Sequence, residues 1–108
     1  MSIRKQRKFM ESGYKILWTD HALEELEKTY SYLELNFSSK ELNALSIAID
    51  NTLKIIEREP NLFPLSDNIG IRKAVVKRYN SMYYRILDDT IQIISFFSNR
   101  QNPSKRKL

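Results

Sequence analysis

Apolar residues recur at two different spacings along this chain, and the change of spacing predicts the order of its elements. Residues 14–18 alternate, with Tyr14, Ile16 and Trp18 on one side, which is typical of a short strand. Two segments with apolar residues three and four positions apart follow, as expected for amphipathic helices. The first segment has Leu23, Leu26, Tyr30, Leu33 and Phe37. The second has Leu42, Leu45, Ile49, Leu53 and Ile56.

Polar residues mark the ends of both predicted helices. Thr19 or Asp20 is placed to cap the first helix. Residues 38–41, Ser-Ser-Lys-Glu, form a capping-box sequence, in which a serine hydroxyl accepts the N3 amide and the glutamate reaches back. Pro60 disfavours helix before it, so the second helix ends by Glu59. Because the link between the helices is very short, we expect an antiparallel hairpin.

The last third of the chain predicts three strands after a loop at residues 61–70. They are Ile71–Tyr79, Met82–Leu87 and Ile91–Phe97. Asp88 and Asp89 form a two-residue hairpin turn without the favoured glycine. The expected fold class is α+β: an N-terminal strand and an antiparallel two-helix hairpin, packed on a small, mainly antiparallel sheet with a C-terminal three-stranded meander.

A two-residue turn sets which residues of the last two strands face each other. The expected pairs are Leu87 with Thr90, Arg85 with Gln92, and Tyr83 with Ile94. One face then holds apolar residues that should pack on the helices: Met82, Tyr84, Ile86, Ile91, Ile93 and Phe97. The other is the candidate working face, with Tyr83, Arg85, Gln92, Ile94, Ser98 and, if the alternation continues, Arg100.

Charge divides the chain more sharply than its net value of +5 suggests. Residues 14–53 have seven acidic and three basic residues, whereas residues 54–108 have eleven basic and five acidic. This asymmetry indicates a polyanionic or acidic partner for the basic half, although a solvated surface would have the same composition. We expect a basic extension at 1–13, whose place in the native start is open, a single domain at 14–103 and a basic tail at 104–108.

Composition narrows the chemistry that the chain can perform. With one histidine and no cysteine, no metal-ligand set is plausible, and a reducing cytoplasm is the expected location. His21 lies at the start of a helix and has no obvious serine partner for a nucleophilic triad. We therefore predict that it lies on the surface. Two glycines leave no phosphate-cradling loop, and no apolar run is long enough to cross a membrane. We therefore expect no cofactor, no metal and no membrane association.

Basic and aromatic residues of the last third are the remaining candidates for function. Arginine forks bind phosphates, and tyrosine rings stack on bases. No catalytic residue is assigned, and the same side chains would also solubilise the open face of a sheet. The candidates for target or phosphate binding are Arg72, Lys77, Arg78, Tyr83, Arg85 and Arg100.

Three stretches of the chain carry a resemblance to a known family. They are YKILWTDHALEELEKTYSYL, IEREPNLFP and IRKAVVKRYNSMYYRILDDTIQIISFFSNRQNP. Their order and spacing, from Tyr14 to Pro103, resemble the RelE/ParE superfamily of toxins from type II toxin–antitoxin systems, which includes plasmid stabilisation proteins. The resemblance implies a bacterial toxin that stops growth and is neutralised by a cognate antitoxin in a hetero-oligomer. It also implies that an acidic C-terminal antitoxin segment contacts the basic sheet or the helical hairpin.

The superfamily divides by target, and the resemblance leans to one branch. RelE-like members cut messenger RNA on the ribosome without metal, whereas ParE-like members inhibit DNA gyrase by binding. The RelE-type arginine falls at or near Ser81, residues 99–108 contain no tyrosine, and Ser98 or Asn99 stands where other members have a histidine. The resemblance therefore implies a ParE-like gyrase inhibitor. A RelE-like ribonuclease and an inactive homologue that only binds antitoxin are the alternatives.

Overall fold

The computed structural model describes residues 14–66 and 69–99. Their elements are β1 (Lys15–Trp18), α1 (Asp20–Asn36), α2 (Ser39–Arg58), β2 (Ile71–Val76), β3 (Asn80–Leu87) and β4 (Thr90–Ser98). The strands form one sheet in the order β1-β4-β3-β2, with β1 parallel to β4 and the other pairs antiparallel. The predicted α+β fold is confirmed, while the expectations for residues 1–13, Arg100 and 104–108 lie outside the described residues. No helix in the described ranges is long and apolar enough to cross a membrane.

The helix ends agree with the sequence except for one cap. Thr19 caps α1, because its Oγ1 accepts the backbone N–H of Ala22 at 3.1 Å. The start of α2 after Ser38 and its end before Glu59 match the prediction. The predicted hydroxyl cap is wrong: Ser38 forms no side-chain cap, and its carbonyl oxygen accepts the N–H of Glu41 at 3.0 Å.

The two helices differ in how well their apolar spacing predicted the buried face. In α2 the most buried residues are Leu45, Ile49 and Ile56, as expected. In α1 they are Ala22, Thr29 and Leu33, whereas Leu23 and Phe37 are 40% and 39% exposed. The helix is therefore rotated away from the predicted stripe. Thr29 is tolerated inside because its hydroxyl donates to the carbonyl oxygen of Glu25 at 3.0 Å.

The turn between β2 and β3 comes earlier than predicted. The expected strand to Tyr79 instead ends at Val76, and residues 77–79 form the turn. Lys77 and Arg78 have φ angles of 51° and 69°, in the left-handed region. The buried Asn80 side chain donates to the carbonyl oxygen of Val76 at 3.0 Å and closes the hairpin. Lysine and arginine are not turn-forming residues, so the pattern continued the strand through them.

The pairing of β3 with β4 begins as predicted and then shifts by one residue. Leu87 lies opposite Thr90 across the Asp88–Asp89 turn, as expected. A bulge follows, because Tyr84 lies opposite Ile93 but Tyr83 lies opposite Ser95. The predicted pairing of Tyr83 with Ile94 is therefore wrong.

The bulge inverts the end of β4. Phe96 and Ser98 are buried, and Phe97 is exposed, which is the opposite of the prediction for Phe97 and Ser98. Side chains alternate with a period of two, so one extra residue moves every later side chain to the other face. The core between the sheet and the helices consists of Ala22, Leu33, Leu45, Ile49, Ile56, Ala74, Val76, Met82, Tyr84, Ile91, Ile93 and Phe96.

Candidate interaction surface

The face of the sheet that points away from the helices is apolar and basic. We call it the open sheet face: Leu17, Lys73, Val75, Ser81, Tyr83, Arg85, Leu87, Gln92 and Phe97. Leu17, Val75 and Phe97 are 57%, 58% and 43% exposed, and none of the four strands contains an aspartate or glutamate. An exposed apolar surface with only positive charges is typical of a docking surface for an acidic partner.

Tyr83 and Arg85 lie together on this face, as the sequence predicted. The Nζ of Lys73 lies 6.0 Å from the centre of the Tyr83 ring. Arg85 donates through Nε to Oε1 of Gln92 at 2.9 Å, which orients the guanidinium group. The terminal nitrogens of Arg85 have no partner among residues 14–66 and 69–99 and are available to a carboxylate or phosphate.

Arg72 points elsewhere and holds a loop. Its Nη1 donates to the carbonyl oxygens of Phe63 at 2.6 Å and Asn61 at 3.3 Å. The Tyr84 hydroxyl donates to the carbonyl oxygen of Pro60 at 2.7 Å in the same region. Burial raises the pKa of Tyr84, and the charge of Arg72 and the backbone of Phe63 offset part of that rise. Arg72 therefore has a structural role, whereas its role as a phosphate ligand stays a prediction.

Lys77 and Arg78 lie in the β2–β3 turn, apart from both the open sheet face and the loop that Arg72 holds. They border a cleft of about 440 Å³ between that turn and the start of α2. The guanidinium carbon of Arg78 lies 5.6 Å from the centre of the Tyr79 ring. The candidate residues in the described ranges are thus divided among the open sheet face, the loop anchor and the turn, and Arg100 lies outside those ranges.

Glu25 joins α1 to β4 in a contact that the sequence did not indicate. Its Oε1 accepts the Ser95 hydroxyl at 2.9 Å and the backbone N–H of Phe96 at 2.8 Å. Its Oε2 lies 3.3 Å from Nε2 of His21, which is exposed as predicted. The serine donates to the carboxylate and not to the histidine, so the three residues lack the serine–histidine contact of a nucleophilic triad.

Comparisons with known proteins identify the architecture. No protein-family model matches the chain, and no curated protein matches its sequence significantly. A chain of the chromosomal ParDE toxin–antitoxin system of P. aeruginosa superposes with a TM-score of 0.65 at 20% identity, covering 77% of this chain and 92% of that one. A chain of the E. coli DinJ–YafQ toxin–antitoxin complex superposes with a TM-score of 0.53 at 8% identity, covering 80% and 92%. At these identities the likeness shows a shared fold.

Proposed function

We propose that this chain, which has the RelE/ParE-like toxin fold, is the toxin of a type II toxin–antitoxin system and is neutralised by a cognate antitoxin. The fold supports this proposal, since the structures it resembles are described as toxin–antitoxin systems or complexes. The sequence resemblance from Tyr14 to Pro103 supports it independently, because it rests on local motifs and their order.

The open sheet face suggests the chemistry of the antitoxin segment. Its cations include Lys73 and Arg85, and its exposed apolar residues include Val75 and Phe97. A partner segment that alternates apolar and acidic residues would cover the apolar area and pair with the cations. We therefore propose an acidic antitoxin segment on this face, within a toxin–antitoxin hetero-oligomer in the cytoplasm.

The proposed action is ParE-like: inhibition of DNA gyrase by binding, without cleavage. One observation carries this choice. By the sequence resemblance the RelE-type arginine falls at or near Ser81, and the register places Ser81 between Val75 and Phe97 on the open sheet face. Among the described residues, the cross-strand neighbours of that position are therefore apolar. An apolar position suits protein docking better than stabilisation of phosphate charge.

Growth and gyrase assays test this proposal. Induction of the chain without antitoxin should arrest growth, and the purified protein should inhibit supercoiling by gyrase. Arg85→Gln should weaken both effects, whereas Lys54→Gln, which removes a charge on α2, should change neither. Full supercoiling at a large excess of a protein that still arrests growth would exclude gyrase as the target. Normal growth under strong induction would instead favour an inactive homologue that only binds antitoxin.

A ribosome-dependent ribonuclease is the second candidate, favoured by one feature of the open sheet face. Tyr83 lies beside Lys73 and on the same face as Arg85, so a phenol that can exchange a proton is near two cations that can hold a phosphate. Primer extension on ribosome-bound message would then show cuts within codons during induction. Tyr83→Phe should abolish those cuts, and their absence with the unaltered chain would exclude this activity.

A further inference from the structure

The cleft beside the β2–β3 turn lies on the helix side of the sheet, apart from the open sheet face. It has a volume of about 440 Å³, within the range of small-molecule sites. The sheet end forms its floor, the helices form one wall, and the turn forms its mouth. Its lining residues are Leu33, Glu41, Leu45, Lys77, Arg78, Tyr79, Asn80 and Ser98.

The floor of the cleft contains two buried polar side chains with unused hydrogen-bonding atoms. Asn80 and Ser98 lie directly opposite each other in β3 and β4 and are only 6% and 2% exposed. The amide nitrogen of Asn80 donates to Val76, but its Oδ1 and the hydroxyl of Ser98 have no partner in the described ranges. Neither atom is fully enclosed, since Trp18 Nε1 is the one buried side-chain atom without a partner in the described ranges, so both atoms can be reached from the cleft. The floor therefore presents a hydrogen-bond acceptor and a hydroxyl to a ligand in the cleft.

The mouth of the cleft contains two cations held in an unfavourable backbone conformation. Lys77 and Arg78 have φ angles of 51° and 69°, which cost about 1–2 kcal/mol each for residues other than glycine. Such strain is concentrated at functional positions. Glu41 lines the cleft on the α2 side. An anionic group would therefore bind on the turn side, against Lys77 and Arg78.

We propose that this cleft binds a mononucleotide. The phosphate would lie against Lys77 and Arg78, and the base would lie against the cleft walls at Leu33 and Leu45 and hydrogen-bond with the floor. A base edge carries both donors and acceptors, which match the Asn80 oxygen and the Ser98 hydroxyl. An acidic peptide side chain would pair with the cations but would form no hydrogen bonds with the floor. The inference does not depend on the toxin proposal, because nucleotide binding is measured without a toxicity assay.

Titration of the isotope-labelled full chain, followed by amide chemical shifts, tests the proposal. The probes are the four ribonucleoside 5′-monophosphates, their nucleosides and inorganic phosphate. We expect at least one nucleotide to shift the amides of Lys77, Arg78, Asn80 and Ser98, and to bind at least about tenfold tighter than its nucleoside or inorganic phosphate. No shift at millimolar nucleotide, or equal binding of inorganic phosphate, would overturn the proposal.

Three variants distinguish the contribution of the mouth to nucleotide binding from that of the floor. Lys77→Asn and Arg78→Asn remove charge but keep residues that tolerate left-handed φ angles, so the turn should persist. Ser98→Ala removes the floor hydroxyl. Each should weaken nucleotide binding about tenfold, the loss of one charge-assisted or buried hydrogen bond. Lys54→Gln on α2 is the control, because Lys54 is an exposed cation outside the cleft lining and its loss should leave binding normal; an equal loss there would mean nonspecific attraction and refute the site.

Discussion

Glu25 accepts the backbone N–H of Phe96 at 2.8 Å, and this contact closes a strand edge that β1 leaves open. The pairing of β1 with β4 stops at Ile93, whose carbonyl oxygen accepts the N–H of Thr19 at 3.0 Å. From there the chain leaves the sheet to begin α1, and among residues 14–66 and 69–99 no strand pairs with the next part of β4 on its β1 side. An unpaired edge invites association with other chains. A side chain of α1 therefore replaces the missing strand at the point where β4 bulges.

Replacement of Glu25 by alanine should destabilise the fold by about 2–3 kcal/mol, because two partly buried donors lose a charged acceptor. Urea unfolding of the variant measures this loss. Glu27→Ala is the control, since Glu27 lies exposed on the same helix and should change the free energy of unfolding by less than about 0.5 kcal/mol. Equal effects of the two substitutions would show that the Glu25 contacts add no stability.

Tyr84→Phe should reduce the free energy of unfolding by about 1–3 kcal/mol. The substitution keeps the buried ring but removes the hydroxyl that donates to Pro60, and it leaves that carbonyl oxygen without this partner. Tyr83→Phe is the matched control on the open sheet face, and thermal unfolding compares the two. A Tyr84→Phe protein as stable as the control would contradict the importance of this loop contact.

The same tyrosine makes stability depend on alkaline pH. Burial raises the pKa of Tyr84 above its ordinary value of about 10, so the folded chain holds the proton more tightly than the unfolded chain. The resulting stabilisation is fully present below pH 10 and is lost as the pH rises through the folded pKa. Unfolding measured from pH 8 to 11 should show this loss in the unaltered chain and a smaller loss in Tyr84→Phe; parallel curves would contradict it.

Arg78→Gly should stabilise the chain by about 1 kcal/mol. Arg78 has a φ of 69°, and glycine adopts this conformation without the clash of a Cβ atom. Arg78→Ala is the control, because it removes the same charge but retains the Cβ. If glycine and alanine unfold at the same urea concentration, the turn is not strained at this residue.

Phe97→Ser should weaken binding of the proposed antitoxin by about tenfold or more, because exposed aromatic residues on a docking surface are typical hot spots. Phe37→Ser is a matched control: Phe37 is 39% exposed and Phe97 is 43% exposed, but Phe37 lies at the end of the helical hairpin. Titration calorimetry with the proposed cognate antitoxin measures both. Equal losses would move the antitoxin surface away from the open sheet face.

Local sequence patterns determined the order of the elements and most of their boundaries. The apolar spacing of α2 predicted its buried face, because one side of that helix packs on the core throughout. The Asp88–Asp89 turn set the first pairs of β3 and β4, from Leu87–Thr90 to Arg85–Gln92. The alternation along β3 alone placed Tyr83 and Arg85 on the same face, so this part of the candidate site was predictable.

Tertiary structure decided the rest, because the causes are contacts between distant parts of the chain. Glu25 and Phe96 are 71 residues apart, and no local sequence pattern predicts that this carboxylate binds β4 beside its bulge. That single extra residue exposes Phe97 and buries Ser98, and so adds Phe97 to the open sheet face and Ser98 to the floor of the cleft. Lys77 and Arg78 lie in a turn because Asn80 pairs with Val76 and closes the hairpin around them. Residue types and short spacings specify elements, whereas the packing of α1 against the edge of β4 specifies which side chains those elements present.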